Sequence, residues 1–378
     1  MKKILIFMGH YLPGYKDGGP VRSIANLVDA LGDEFEFRVV CLDRDKGDTG
    51  SYPNIEIDTW NSVGKAKVWY LSPGGFTAKR IETFSQWADI IYLCGFFDDY
   101  GYKTLFLHRF GALKKKSLAV ASMGLFSVGA LRQKSAKKKV FFAACKLLGL
   151  FKNITWSFTS EQEATEAKSI LGEELIYCVA EDIPSQITMD ISAKEHNNAL
   201  LKIVFFSRIS PKKNLLGAIK AMQQVHSEVT FDIYGPAEDR EYWQHCKMEL
   251  QKLPENVQWN YGGELTPEQV YPTLKKYDAF LFPTLGENFG HVIYEALAVG
   301  CIPIISDQTP WDEITERNAG FVLSNTDSMR EYAECIDFLA QTIVDKRKTM
   351  TERAVQLAKD KYQSTKENNG YRKIFSEL

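Results

Sequence analysis

Short, continuously apolar runs alternate along this chain with longer stretches in which apolar residues recur at helical spacing. KILIFMG, FEFRVVCL, DIIYLCG, SLAVASM and WSFTS mark the first half, and KIVFFS, TFDIYG, AFLFPT, IPIIS and GFVLS the second. Such runs predict strands buried on both faces, and helix-length segments between them predict βαβ units with parallel sheets. Between Ile183 and Leu200 the pattern lapses into polar PSQITMDISAKEHNNAL, the expected junction of two domains. From about Asp345 the chain reads as charged helix, and the closing YRKIFSEL keeps apolar residues at helical spacing. The fold class is therefore α/β, with two doubly wound parallel-sheet domains at 1–190 and 191–360. A C-terminal helix, 361–378, is expected to pack back on the first domain.

The 378 residues are 45% hydrophobic and 25% charged, which is globular composition at two-domain length. A formal net charge of -2 gives no overall field to attract a polyanion. Seven cysteines without a CxxC favour neither a disulfide framework nor structural zinc, so the expected compartment is a reducing cytoplasm. MKKILIFMGH stops being apolar at His10 with no cleavage site after it, and reads as a first strand rather than a signal peptide. No run reaches the roughly 18 apolar residues of a membrane span.

The most informative stretch is GENFGHVIYEALAVGCIPIIS, Gly286 to Ser306. AFLFPT before it and IPIIS within it read as parallel strands, with a helix from Gly290 to Val299 between them. The Leu285–Phe289 loop thus falls at the carboxyl end of a strand, where open α/β sheets bind ligands. A helix N-terminus there offers free amides and partial positive charge suited to a diphosphate, and Gly290 lets a ligand approach the backbone. Glu287 precedes the helix and Glu295 lies about six residues in, roughly 9 Å along the axis at about 1.5 Å per residue. Ionised carboxylates suit the vicinal hydroxyls of a sugar and a ribose. They suit phosphate badly, and SRISPKKN supplies the cations: Arg208 at the end of a strand and Lys213 before the next helix. Taken singly each is an ordinary surface charge; their convergence on one sheet edge points to a site.

These residues resemble the retaining nucleotide-sugar glycosyltransferases of the GT-B fold, in particular glycosyltransferase family 4 (glycosyltransferase group 1). The resemblance rests on Glu287 and Glu295 in GENFGHVIYEALAVG, Arg208 and Lys213 in SRISPKKN, Gly18-Gly19 in YLPGYKDGGPVRSIANLVDALG, and IYGP at Ile233 to Pro236 with Gly235. It implies two Rossmann-like domains facing a cleft, the first for acceptor and the second for donor. It implies that Arg208 and Lys213 hold the donor diphosphate and Glu295 the ribose. Glu287, with Asn288, Phe289, Gly290 and His291, would position the donor sugar. Asn214 stands where many relatives have Gly, and Met123-Gly124 where several carry a histidine near the sugar. Retention is implied by the resemblance alone, with front-face attack in which the leaving phosphate takes the acceptor proton.

Gly18-Gly19, with Pro20 at the first position of a helix ending near Gly32, is not GxGxxG, which disfavours a dinucleotide-dependent dehydrogenase. The pair is expected to approach the donor diphosphate or the acceptor, whereas Gly14 reads as part of an ordinary flexible loop. Candidates on the acceptor side are His10, Gly124, Arg132 and Lys134. From Tyr100 to Ser160 there is no Asp or Glu but twelve Lys and Arg. This predicts an entrance for an anionic, lipid-pyrophosphate-linked acceptor and peripheral contact with an anionic membrane at the inner face of the plasma membrane. The apolar residues of VFFAACKLLGLF are expected in the core. No motif supports RNA binding. Asp43-Arg44-Asp45 has the letters of a metal-binding DxD but lies away from the cation pair and reads as a surface loop, so neither metal nor cofactor is expected. The expected reaction is hexosyl transfer from a UDP- or GDP-sugar to an acceptor hydroxyl in polysaccharide assembly. The competing readings are a related epimerase or phosphorylase and a non-catalytic nucleotide-sugar-binding subunit. Trp311 could stack on a sugar or simply pack.

Overall fold

The computed structural model describes residues 1–126, 135–186, 200–326 and 328–378. The chain divides into two compact units, Met1–Ser185 with Ser364–Leu378, and Gln186–Gln363.

The first unit runs β1 (Lys3–Phe7), α1 (Gly19–Leu31), β2 (Glu36–Leu42), β3 (Trp60–Val63), β4 (Ala66–Leu71), α2 (Ala78–Trp87), β5 (Ile90–Cys94), α3 (Asp99–Phe110), β6 (Ser117–Ala121), α4 (Ser135–Leu148), β7 (Thr155–Phe158), α5 (Glu161–Leu171) and β8 (Tyr177–Val179). Its sheet order is β3-β4-β2-β1-β5-β6-β7-β8, parallel except for the β3–β4 hairpin. Alternate residues of β1 feed two cores, Ile4 and Ile6 on one face and Leu5 and Phe7 on the other. This is why the run is apolar at every position rather than every second one.

The second unit runs β9 (Leu201–Phe206), a 3-10 turn at Pro211–Lys213, α6 (Leu215–Met222), β10 (Val229–Tyr234), α7 (Arg240–Leu250), β11 (Val257–Gly263), α8 (Pro267–Leu274), β12 (Ala279–Phe282), α9 (His291–Ala298), β13 (Ile302–Ser306), α10 (Glu313–Glu316), β14 (Phe321–Leu323) and α11 (Arg330–Gln341). α12 (Val344–Glu367) follows, and α13 (Gly370–Glu377) closes the chain. The sheet is parallel throughout, in the order β11-β10-β9-β12-β13-β14. Strand order reverses between β9 and β12, as it does between β1 and β5 in the first unit. Loops leaving the carboxyl ends of such a pair diverge and leave a crevice.

α13 belongs to the first unit, where Tyr371, Ile374 and Phe375 are buried in the core with Ile4, Phe35 and Phe37. Asn369 caps it, its side chain accepting from the Tyr371 amide at 2.8 Å.

Two expectations need correction. Strands β3, β4, β8 and β11 were absent from the sequence reading; β11 is exposed on alternate residues and β8 has no fully buried residue, so neither forms an apolar run. VFFAACKLLGLF is core on one side only. Phe142 and Cys145 are buried, whereas Val140, Leu147 and Leu148 are exposed.

Candidate active site

The second unit brings three loops together at the carboxyl edge of its sheet. Past β9 the chain makes the 3-10 turn and reaches Asn214, whose φ of 57° and ψ of 45° are left-handed. Asparagine tolerates that region better than most residues, which explains how it replaces glycine here. Its side chain caps α6 by accepting from Gly217 N at 3.1 Å and donates to the Pro283 carbonyl at 2.8 Å, tying this turn to the end of β12. The Lys212 carbonyl accepts from Leu285 N at 2.8 Å and lies 3.2 Å from the Thr284 hydroxyl oxygen. On the other flank Glu287 N donates to Gln308 O at 3.0 Å, while Ser306 Oγ donates to Thr284 O at 2.6 Å and Asn325 Nδ2 to the same carbonyl at 2.9 Å.

This stitching sets Lys213 Nζ 2.5 Å from Glu287 Oε1, with side chains only 13% and 12% exposed. Thr284 Oγ1 donates to the same oxygen at 3.1 Å. Burial pushes the Glu287 carboxyl up, but Lys213, with Lys212 and the Thr284 hydroxyl, outweighs it and holds the group below the usual carboxylate range. An ammonium has three donors, so one bond to Glu287 leaves capacity for an anion. Lys213 also lies over the Phe282 ring, 5.6 Å from its centroid.

Three residues on, Gly290 takes φ 79° and starts α9 without a side-chain cap. The N-cap of α9, at the positive end of the helix dipole, thus stands three residues after Glu287. At the left-handed φ of Gly290 any side chain would be strained, and a Cβ would also press on Ile293 Cδ1 at 2.9 Å. Phe289, His291 and Glu295 are buried, and Asn288 is half-buried. Phe289 packs edge-on against Trp311, whose indole donates to the Phe289 carbonyl at 2.5 Å. Trp311 is therefore a packing residue behind the loop. Arg208 stands on the β10 side of β9, 3.5 Å from Glu238, with about a third of its side chain exposed. Gly235 lets that edge close up: at φ 134° a Cβ there would lie 1.8 Å from Ser207 O.

Sequence reasoning missed Lys212, Thr284, Ser306, Gln308 and Asn325. Lys212 was visible as the other lysine of PKK, and Thr284 and Ser306 as polar residues at the ends of apolar runs. Gln308 acts through its backbone, which no side-chain pattern signals.

In the first unit Gly18, at φ 75°, starts α1 without a side-chain cap, and the space above Gly19 is open. His10 Nδ1 lies 2.9 Å from Arg44 O. Asp43-Arg44-Asp45 is not a surface loop, since both aspartates are buried. Asp43 pairs with Arg44 at 2.8 Å, while Asp45 accepts from Tyr15 N at 2.8 Å and Lys16 N at 3.1 Å and so shapes the glycine loop. Gly14 is likewise no flexible spacer: a Cβ would sit 2.1 Å from the Tyr52 hydroxyl. Gly124 N donates to the buried Glu163 carboxylate at 2.9 Å. Asp98, also missed, follows β5; desolvation and Asp17 raise its carboxyl, and His10 and Lys46 oppose them. Arg132 and Lys134 lie outside the described residues. No cluster of three or more metal-ligating His, Cys, Asp or Glu occurs among the described residues.

Residues 187–357 match the family model of glycosyl transferases group 1, a span that covers nearly all of the second unit. Sucrose-phosphate synthase from Thermosynechococcus elongatus superposes with a TM-score of 0.76 at 14% identity, covering 100% of both chains. The family-model match covers less than half of the chain, and the superposition shows the fold. The architecture is GT-B, two parallel-sheet Rossmann-like domains. HepE from Anabaena, solved in complex with UDP and glucose, aligns at a TM-score of 0.71 and 15% identity over 100% of each chain. Among curated proteins, the GtfA subunit of the UDP-N-acetylglucosamine–peptide N-acetylglucosaminyltransferase of Streptococcus agalactiae is 26% identical over 159 residues, 40% of this chain. That alignment spans only 30% of the relative's own length.

Proposed function

We propose that the protein is a family 4 retaining glycosyltransferase moving a hexose-type sugar from a UDP- or GDP-sugar to an acceptor hydroxyl. The observation that carries this reading is the buried Lys213–Glu287 pair beside the uncapped N-terminus of α9. Lys213 and the α9 amides meet the diphosphate, Arg208 reaches it from the β10 side, and Glu295 takes the ribose. Glu287, fixed by Lys213 and Thr284, accepts hydroxyls of the donor sugar. UDP is the favoured nucleotide, since UDP stands in the names of two of the similar proteins above.

In the reaction the bond from the anomeric carbon to the diphosphate breaks and the acceptor oxygen bonds to that carbon on the same face. The acceptor proton passes to the departing diphosphate oxygen. Charge grows on that diphosphate, and cations and amides already aimed at it lower the barrier without a resident metal. The proposed acceptor is a saccharide, carried on a lipid pyrophosphate during cell-surface polysaccharide assembly.

The test supplies UDP- and GDP-sugars with a lipid-linked saccharide, in EDTA, and follows nucleotide release and glycosylated product. Wild type should turn over one donor only when acceptor is present, which an epimerase or phosphorylase would not require. Glu287→Ala should lose turnover by about two orders of magnitude or more. A variant that loses donor affinity while wild type shows no transfer would instead mark a binding subunit.

A further inference from the structure

We infer that the second unit carries a separate binding site for an acidic saccharide, in a groove on one face of its sheet toward the amino ends of β9, β10 and β11. The groove has a volume of about 420 Å³, within the roughly 300–1,000 Å³ of small-ligand sites. Strand register builds its floor. Lys202, Thr230 and Gln258 stand in one row across the three strands, and Asp232 and Asn260 in the next. Alternate residues share a face, so Ile203, Phe231 and Val257 turn into the core behind them. Lys202, Gln258 and Asn260 are exposed although they belong to strands.

Two tyrosines wall the groove at its carboxyl end. Tyr277, in the turn from α8 into β12, is buried and donates from its hydroxyl to Asp232 Oδ2 at 2.5 Å; the same hydroxyl lies 3.0 Å from that of Tyr234. Tyr234 is the next residue of β10 on this face after Asp232, and a Cβ on Gly262 would meet its ring at 2.1 Å. Arg208, Lys213 and Glu287 all follow the carboxyl ends of their strands, whereas Lys202, Lys276 and Tyr277 stand at the amino ends of β9 and β12. The groove is therefore distinct from the candidate active site.

The lining selects the occupant. Neither Lys202 nor Lys276 has an ion-pair partner among the described residues. The one carboxylate of the lining, Asp232, is engaged by Tyr277, and the neighbouring Asp278 accepts from Lys202 N at 2.9 Å. Two free ammonium groups call for an anion. The Gln258 and Asn260 amides, each able to donate and to accept, have no side-chain hydrogen bond among the described residues and match vicinal hydroxyls. Trp259 adds apolar surface of the kind a sugar ring packs on. A sugar bearing a carboxylate uses all three features, while a polyphosphate would leave the amides and the indole idle.

The experiment is calorimetric titration of the full chain with a hexasaccharide of alternating glucuronate and N-acetylglucosamine, beside neutral chitohexaose. No nucleotide is present, so failure here leaves the donor-site reading standing, and failure of that reading leaves this site standing. The acidic hexasaccharide should bind at millimolar concentration or below, and chitohexaose at least about tenfold more weakly. Lys202→Ala with Lys276→Ala should cost the acidic sugar about tenfold or more with circular dichroism unchanged. Lys202→Gln alone, at an exposed position, should cost it about threefold. Asn260→Ala should weaken both sugars, and Lys213→Ala should bind the acidic sugar as wild type does. The proposal is overturned if the acidic hexasaccharide does not bind at millimolar concentration, if chitohexaose binds equally, if the lysine variants bind as wild type does, or if Lys213→Ala loses the binding. Equal binding of a glutamate hexapeptide would also overturn it, marking a charged patch without selectivity for sugar.

Discussion

Glu287 and Lys213 are separated by 74 residues in the chain yet sit 2.5 Å apart, and this contact defines the site. With its folded-state carboxyl held below the ordinary value of 4.5, Glu287 contributes stability that is fully present above that value and is lost as pH falls through the lower folded one. Glu287→Gln leaves the Lys213 ammonium buried without its counter-charge, and should destabilise the chain by about 3 kcal/mol at neutral pH. The difference from wild type should hold from pH 7 to about pH 5 and shrink below 4.5. Urea unfolding across that range measures it. The carboxylate, the lysine and the glycine before the helix were legible because each is a residue type suited to a sugar or a phosphate. The role of Asp45 was not legible, because what decides it is a pair of backbone amides from a loop about thirty residues earlier.

Among elements, the strands read most reliably from sequence were those covered on both faces. β5 and β12 are apolar throughout, and β1 and β13 apart from Lys3 and Ser306 at their ends, because helices pack on either side. β11 alternates because one face is bare, and β3 and β8 are short strands at sheet edges, where burial does not enforce a run. Helix α9 was legible down to its ends, with Gly290 at φ 79° before it and Gly300 at φ 70° after it. The exposed stripe of α4 was not, since a periodic apolar face reads alike whether it meets core, lipid or solvent. Close approach of β9 to β10 depends on Gly235, so Gly235→Ala should cost about 3 kcal/mol through displacement of the Ser207 carbonyl. It should also shift Arg208 and weaken nucleotide binding, checked by urea midpoint and by calorimetry on the same sample.

At the scale of the whole molecule, the chain leaves the first unit after Ser185 and returns to it at Ser364. Phe375 on the returning helix is fully buried and packs its ring at 5.5 Å from Phe35, 5.8 Å from Phe37 and 5.6 Å from Tyr92. Phe375→Ala should therefore destabilise the first unit by about 3–5 kcal/mol. Limited proteolysis should show cleavage within Met1–Ser185 before cleavage within the second unit, and nucleotide affinity should be preserved.

If the proposed function is right, the second unit holds a nucleoside diphosphate through Lys213. Calorimetric titration of UDP, GDP and ADP in EDTA, beside Lys213→Ala, tests this most directly. UDP or GDP should bind wild type, and the variant should lose at least about tenfold in affinity, the loss of a charge-assisted contact of about 1.5–3 kcal/mol. Binding of none of the three, or equal binding to Lys213→Ala, would contradict it.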